Sequence, residues 1–262
     1  MAIDTKTLIQ LRQLTGAGVT DCQEALVQSH GDIDGAIEIL RKKGTLKAAT
    51  KAEREAREGI IDAAVSADHS HGVLLQIHCE TDFVAKNSIF IDFVKNISDR
   101  SLAEFQDPQQ LFTAESQSII LQTGENIVFG QAAKLSGGYI DSYIHPNRKV
   151  AVLVQFKKKV DQELGRDIAM HIAAVNPAYL SSQDIPAEIL QKEREIYRAL
   201  LRNEKKPDEM AEKIIQGKIK KFHDENCLLN QSFIKAEDMT VEKLLEQKHA
   251  AVTKFVRFQI AA

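Results

Sequence analysis

The sequence predicts an α+β protein: a three-helix bundle, then two related α+β subdomains on antiparallel strands, the second holding an antiparallel helical hairpin. Three observations carry this. Apolar residues recur three and four apart in three short runs across residues 4–44. Gly59-Ile60-Ile61-Asp62 recurs as Gly138-Tyr139-Ile140-Asp141. Each copy is followed by an apolar strand (73–77, 150–156) and then a helix (90–97, 168–175). Last, two charged amphipathic runs flank the breaker Lys205-Lys206-Pro207-Asp208. The expected divisions are 1–54 (bundle plus linker), 55–140, and 141–262 with the hairpin at about 186–226.

Composition narrows the class. A chain of 262 residues, 44% of them hydrophobic, can fill one large domain or two to three small ones. With 34 basic and 37 acidic residues, the overall field does not suggest a nucleic-acid binder. Cys22, Cys79 and Cys227 are sparse and lack CxxC spacing, so reduced thiols in the cytoplasm are expected. The start carries no basic-then-apolar signal and no stretch could span a bilayer, so no membrane association is expected.

In chain order, Leu8, Leu11 and Leu14 form the first stripe, broken at Thr15-Gly16-Ala17-Gly18. Cys22, Ala25 and Leu26 form the second, starting from Val19. Asp32 can cap the third, in which Ile33, Ala36, Ile37 and Leu40 face inward and Gly44 closes the end. Such a bundle is close to the lower size limit for independent folding. The pattern resembles a ubiquitin-associated-type bundle, and that resemblance implies a first loop exposing Ala17 and Val19 beside Arg12. Residues 45–58, rich in Lys, Arg, Ala and Glu, read as an exposed linker, partly helical. The basic residues Lys47, Lys51, Arg54 and Arg57 read as solvated surface.

An insert at 107–136 places Leu111, Ile119, Ile120 and Leu121 in a helix, then a strand or turn at 124–129. The helix at 166–175 ends before Pro177. His171 falls on its apolar face with Ile168, Ile172 and Val175, where a satisfied core histidine is the commoner outcome. Ile189, Leu190, Ile196, Tyr197, Leu200 and Leu201 make one hairpin stripe; Met210, Ala211, Ile214, Ile215, Ile219 and Phe222 make the other. A short helix at 241–247 and a strand at 255–260 follow.

Cys79-Glu80-Thr81-Asp82-Phe83-Val84-Ala85-Lys86-Asn87 lies between the strand at 72–78 and the helix from about residue 90. The polar pair Thr81-Asp82 suits a turn or N-cap. Phe83 either tucks under as a staple, which spacing alone favours, or points out as an anchor. This nonapeptide closely resembles the second signature of bacterial elongation factor Ts, the nucleotide-exchange factor for elongation factor Tu. The run from Leu11 through Leu26 resembles the first, and Ala169-Met170-His171-Ile172-Ala173-Ala174 extends the likeness over nearly the whole chain. The family usually has lysine at Gln23 and asparagine at His78.

The resemblance implies a ubiquitin-associated-type (UBA-like) N-terminal bundle. It implies that Thr81, Asp82, Phe83 and Val84 dislodge Mg²⁺ from elongation factor Tu. It also implies that Arg12, Val19, Thr20 and His171 contact that partner, in both its GDP-bound and nucleotide-free forms, and that the hairpin projects. Some relatives continue into a further helical module that touches the partner, a contact this chain is expected to lack. A dimer through the core or hairpin is a further expectation.

Enzyme readings fare worse. His78 and Cys79 point to opposite faces of a strand, and no second Cys/His pair answers them. No Gly-x-x-x-x-Gly-Lys or Gly-x-Gly-x-x-Gly loop occurs, so the chain itself should need no nucleotide or other cofactor. The leading alternative is a UBA-like protein-binding adaptor without exchange activity. A thiol or metal hydrolase ranks third.

Overall fold

The computed structural model describes residues 4–51, 53–103, 106–203 and 207–261. Helix α1 (Thr5–Thr15) begins where Asp4 accepts the Lys6 N–H, and ends at Gly16 in the left-handed region. With α2 (Val19–Gln28) and α3 (Ile33–Lys51) it encloses Leu11, Ala17, Cys22, Ala25, Leu26, Ala36 and Leu40. Two expectations fail here. Ala17 is fully buried instead of lining an exposed loop, because it sits beneath the α1–α2 corner with Cys22. Gly44 does not end α3, which continues to Lys51. A Cβ at Gly44 would stand 3.2 Å from the Gln117 carbonyl oxygen of α6 (Pro108–Thr123). The glycine therefore permits close helix–helix approach. Gln122 of α6 donates to the Thr15 carbonyl (3.1 Å), and Leu121 packs on the bundle core. Position 52, within the expected linker, lies outside the described residues.

Two three-stranded antiparallel sheets follow. One contains β1 (Glu58–Val65), β2 (His71–Cys79) and β3 (Val128–Ser136), in that order. The other contains β4 (Tyr139–Ile144), β5 (Val150–Phe156) and β8 (Val252–Gln259), also in that order. Their inner faces meet through Ile61, Leu74, Leu135, Ile140, Ala151, Leu153 and Phe258. On the outer side of the first sheet, Ile60, Val73, Leu75 and Ile77 pack against α5 (Ser88–Ala103) and α6. On the outer side of the second, Val152, Val154 and Phe156 pack against α7 (Gln162–Val175) and α10 (Val241–Gln247). The central strands β2 and β5 are buried on both faces, which is why each reads as a continuous apolar run. β4 begins at Tyr139, so the expected boundary at 140/141 falls inside a strand.

The repeat has a contact that the sequence did not disclose. The same spacing separates Gly59 from Gly138, Asp62 from Asp141, and His69 from Arg148. Each strand of the pair takes a bond from the other repeat's hairpin turn: Ile61 N–H donates to Arg148 O (2.8 Å), and Ile140 N–H to His69 O (2.7 Å). His69 and Arg148 both have positive φ (58° and 55°). A Cβ at Gly59 would meet Ile77 O at 2.2 Å, and one at Gly138 would meet Phe156 O at 2.2 Å. The halves interlock about a pseudo-twofold relation.

The hairpin consists of α8 (Ala187–Asn203) and α9 (Asp208–Asn226); Lys205 and Lys206 of its predicted breaker lie outside the described residues. It buries Leu201, Ile215 and Ile219 against Leu190, Tyr197, Ala211 and Ile214, a core of its own. Its root is tied by main-chain bonds: Ala178 and Tyr179 donate to Asn226 O, and Leu228 donates to Tyr179 O. Replacing residues 188–221 by a short Gly/Ser loop is therefore expected to leave one cooperative melt within a few degrees of the full chain. A broad or multiphase transition in calorimetry would show that the hairpin supports the core. Between α9 and α10 the structure adds a small hairpin, β6 (Ser232–Phe233) with β7 (Ala236–Thr240), which the sequence reading lacked.

Candidate functional site

The turn after β2 is built from its neighbours. Thr81 has extended backbone, and its hydroxyl accepts the Val84 N–H (3.3 Å), capping the single helical turn α4 (Asp82–Ala85). Four residues cannot sustain a helix in isolation. Here the Glu125 carboxylate accepts from the backbone N–H of Glu80 (2.9 Å) and Thr81 (3.1 Å) and from the Thr81 hydroxyl (2.5 Å). In return, Glu80 accepts the Asn126 N–H (2.6 Å), and the Asn126 amide donates to Arg54 O (2.7 Å). Glu125 stands just beyond the Gly124 cap of α6, in a segment whose sequence reads as a strand or a turn into one.

This clamp settles where the turn's side chains go. Val84 and Ala85 are buried in the core formed by the first sheet and α5. Phe83, between them and Asp82, is 83% exposed. The staple reading is therefore corrected: the places beneath the turn are already filled by Val84 and Ala85. Leaving a phenylalanine out of the core forgoes about 1.5–3 kcal/mol of burial, so a ring held on a rigid turn suits contact with a partner. Asp82 pairs with Lys86 one helical turn on (2.7 Å), and that hydrogen bond holds its carboxyl below the usual range.

Arg12, Val19 and Thr20 are all exposed around the α1–α2 corner, Val19 by 46%. Gly18 caps α2 without a side-chain bond. Gln23, one turn after Val19, is exposed too. A cleft of about 870 Å³ opens between this bundle and α5, lined among others by Leu14, Ile37, Arg41, Ile89, Asp92 and Phe93. The predicted residues do not converge on one pocket; they are distributed over three parts of the fold.

His171 takes the core place that its spacing favoured and departs from the contact that the resemblance implied. It is fully buried in α7, not at the surface. Its Nε2 donates to Gln231 Oε1 (3.0 Å) and its Nδ1 accepts the Ile234 N–H (3.3 Å), with the Phe233 ring 5.9 Å away. Both ring nitrogens are used in holding the β6–β7 hairpin against α7. Burial lowers its pKa below the ordinary value, with the Gln231 bond opposing. A base harder to protonate when folded contributes stability that is complete above its unfolded pKa. That stability is lost as pH falls from the unfolded pKa towards the folded one. We expect His171→Ala to cost about 2–4 kcal/mol of stability through the cavity and the stranded Gln231 and Ile234 groups. Its melting temperature should also depend less on pH below about 6.5. A variant that melts like the parent would return His171 to a surface role.

Cys79 is no nucleophile. Burial, with the Glu125 and Glu58 carboxylates adding, pushes its thiol up to about 12. His78 donates from Nδ1 to Glu58 O (3.1 Å) and accepts the Gln76 amide on Nε2 (2.9 Å); burial lowers its pKa. Its ring lies over Gly130, where a Cβ would approach within 2.9 Å. Among the described residues, no group of His, Cys, Asp or Glu is arranged to hold a metal ion, and no helix is long and apolar enough to cross a membrane.

Comparison with known proteins adds a family. Residues 80–262 match the family model described as elongation factor TS. Elongation factor Ts of Halothermothrix orenii is 41% identical, over 99% of this chain and 93% of that protein. Those of Teredinibacter turnerae and Saccharophagus degradans are 39% and 42% identical, again over 99% of this chain and over 91% and 92% of their own lengths.

Proposed function

The chain belongs to the elongation factor Ts family, and on that premise we propose that its Phe83 turn opens the nucleotide site of elongation factor Tu. The activity is nucleotide exchange on that GTPase during translation elongation, with elongation factor Tu as partner. A factor that binds the nucleotide-free GTPase more tightly than the GDP form must weaken GDP by the same factor. Tight GDP binding depends on Mg²⁺ and on backbone amides around the phosphates, so displacing the elements that hold them suffices.

One observation carries the reading: a phenylalanine 83% exposed on a turn clamped by Glu125. Phe83 enters between partner side chains, Asp82 perturbs the metal-holding groups, Thr81 fixes the turn, and Val84 anchors it from below. Arg12, Val19 and Thr20 give a second contact, from a UBA-like bundle within residues 1–54. The two core subdomains, expected at 55–140 and 141–262, divide ahead of β4 and not within it.

The chain engages both GDP-bound and nucleotide-free partner, catalyses no covalent step, needs no cofactor, contacts neither nucleic acid nor membrane, and works in the cytoplasm. Ile196 and Leu200, each 51% exposed along α8, favour the hairpin over the core as a dimer contact. The test is release of labelled GDP from purified elongation factor Tu. Substoichiometric amounts of this chain should accelerate release through repeated turnovers. An adaptor without exchange activity would bind the partner and leave the release rate unchanged.

A further inference from the structure

The α1–α2 corner and the Phe83 turn are fastened to the same short segment, residues 122–126 at the end of α6. On the bundle side, Gln122 Nε2 donates to Thr15 O (3.1 Å), a carbonyl of the last turn of α1 with no later turn to bond. The same amide donates to the Ser118 hydroxyl one turn back (3.1 Å), which fixes its direction. It lies so close under the corner that a Cβ at Gly16, where φ is 65°, would stand 2.5 Å from it. Lys51, the last residue of α3, donates to Gly124 O. On the turn side, Glu125 holds the Glu80 and Thr81 amides, Glu80 accepts the Asn126 N–H, and the Asn126 amide holds Arg54 O. The bend between the two sets of bonds is itself hydrogen-bonded: Gly124 N–H donates to Ile120 O (3.0 Å) and Glu125 N–H to the Thr123 hydroxyl (3.3 Å).

We infer that residues 122–126 transmit position between the two partner contacts, with Gln122 as the positioning residue. A partner seated on Val19 and Thr20 holds the α1–α2 corner. The corner, through Gln122 and the end of α6, holds the turn that carries Phe83. The inference rests on the exchange reading proposed above and adds to it how the two contacts cooperate. Were they joined by a slack linker, the bundle would supply only effective concentration, felt in KM. A stiff link lets binding energy gained at the corner be realised where the turn opens the nucleotide site, and so be felt in kcat. Loosening the link therefore lowers the saturating rate and leaves KM near its parent value.

The test uses the full chain with purified elongation factor Tu carrying labelled GDP. Gln122→Glu keeps the shape and removes the donor; Gln122→Lys keeps a donor. Gln122→Glu should lower kcat for GDP release by about fivefold and move KM by less than about twofold. In the free chain, hydrogen exchange at the Glu80 and Thr81 amides should quicken by about threefold, while the Leu153 amide in the central strand β5 stays as in the parent. A bond that only steadied the bundle would leave those turn amides as protected as before. Gln122→Lys should stay within about twofold of the parent in both readouts. A rise in KM with kcat unchanged overturns the inference. So do turn amides protected as in the parent, or a Gln122→Lys chain as impaired as Gln122→Glu. If Gln122→Glu does not fold, Gln122→Ala takes its place under the same criteria. A parent chain that fails to accelerate GDP release overturns the exchange reading instead, and the turn amides then decide by themselves whether the link exists.

Discussion

Phe83→Ala is expected to remove most of the exchange activity while leaving the fold intact. Were Phe83 a buried staple, truncation would cost about 3–5 kcal/mol. At 83% exposure it has little to lose, and stability should change by no more than about 0.5 kcal/mol. An aromatic anchor at the centre of an interface commonly carries 2 kcal/mol or more, so the rate of GDP release at limiting factor should fall by roughly thirtyfold. Melting temperature and GDP release are to be measured on the same preparation. A variant that melts normally and exchanges at the parent rate would sink the anchor role. Asp82→Asn should show the same pattern more mildly, since it keeps shape and removes charge.

Glu125→Ala should damage the same activity from beneath. The carboxylate accepts three hydrogen bonds, two of them from main-chain N–H groups at the start of the turn. Its removal leaves partly buried donors unsatisfied, at about 1–3 kcal/mol. The cost should be local, with faster hydrogen exchange at the Glu80 and Thr81 amides. Phe83 then stands on a turn no longer held in place, and exchange activity should drop by tenfold or so. Since both residues act through one turn, combining Glu125→Ala with Phe83→Ala should add little to the loss from Phe83→Ala alone. Fully additive losses would mean that Glu125 acts elsewhere, for instance on the docking of α6.

Local features were legible because their causes are local. The stripes of α1, α2, α7 and the hairpin follow the helical period, Asp32 and Thr81 announce caps, and Pro177 halts a helix. The repeated Gly59 and Gly138 motifs marked two related halves because each glycine must let a strand carbonyl pass where a Cβ would collide. Even the turn at Thr81-Asp82-Phe83 could be found as a turn between strand and helix.

What the residues by themselves determined, then, is the type of the long periodic segments and which short stretch carries an acid beside an aromatic. Direction and partnership were decided by the tertiary structure alone. Spacing favoured tucking Phe83 under; it points out because Val84 and Ala85 already fill the core below and Glu125, 45 positions from the Glu80 amide it binds, fixes the turn. Spacing favoured a core place for His171 and the resemblance a partner contact; it is buried, and Gln231 and Ile234, some 60 positions on, supply partners for both ring nitrogens. Gly44 read as a helix stop and proves to be the point where α3 meets α6. The Asp62–Arg148 pair joins residues 86 positions apart. Each outcome depends on groups distant in sequence competing for the same space or the same hydrogen bonds, and no local pattern encodes which of them wins.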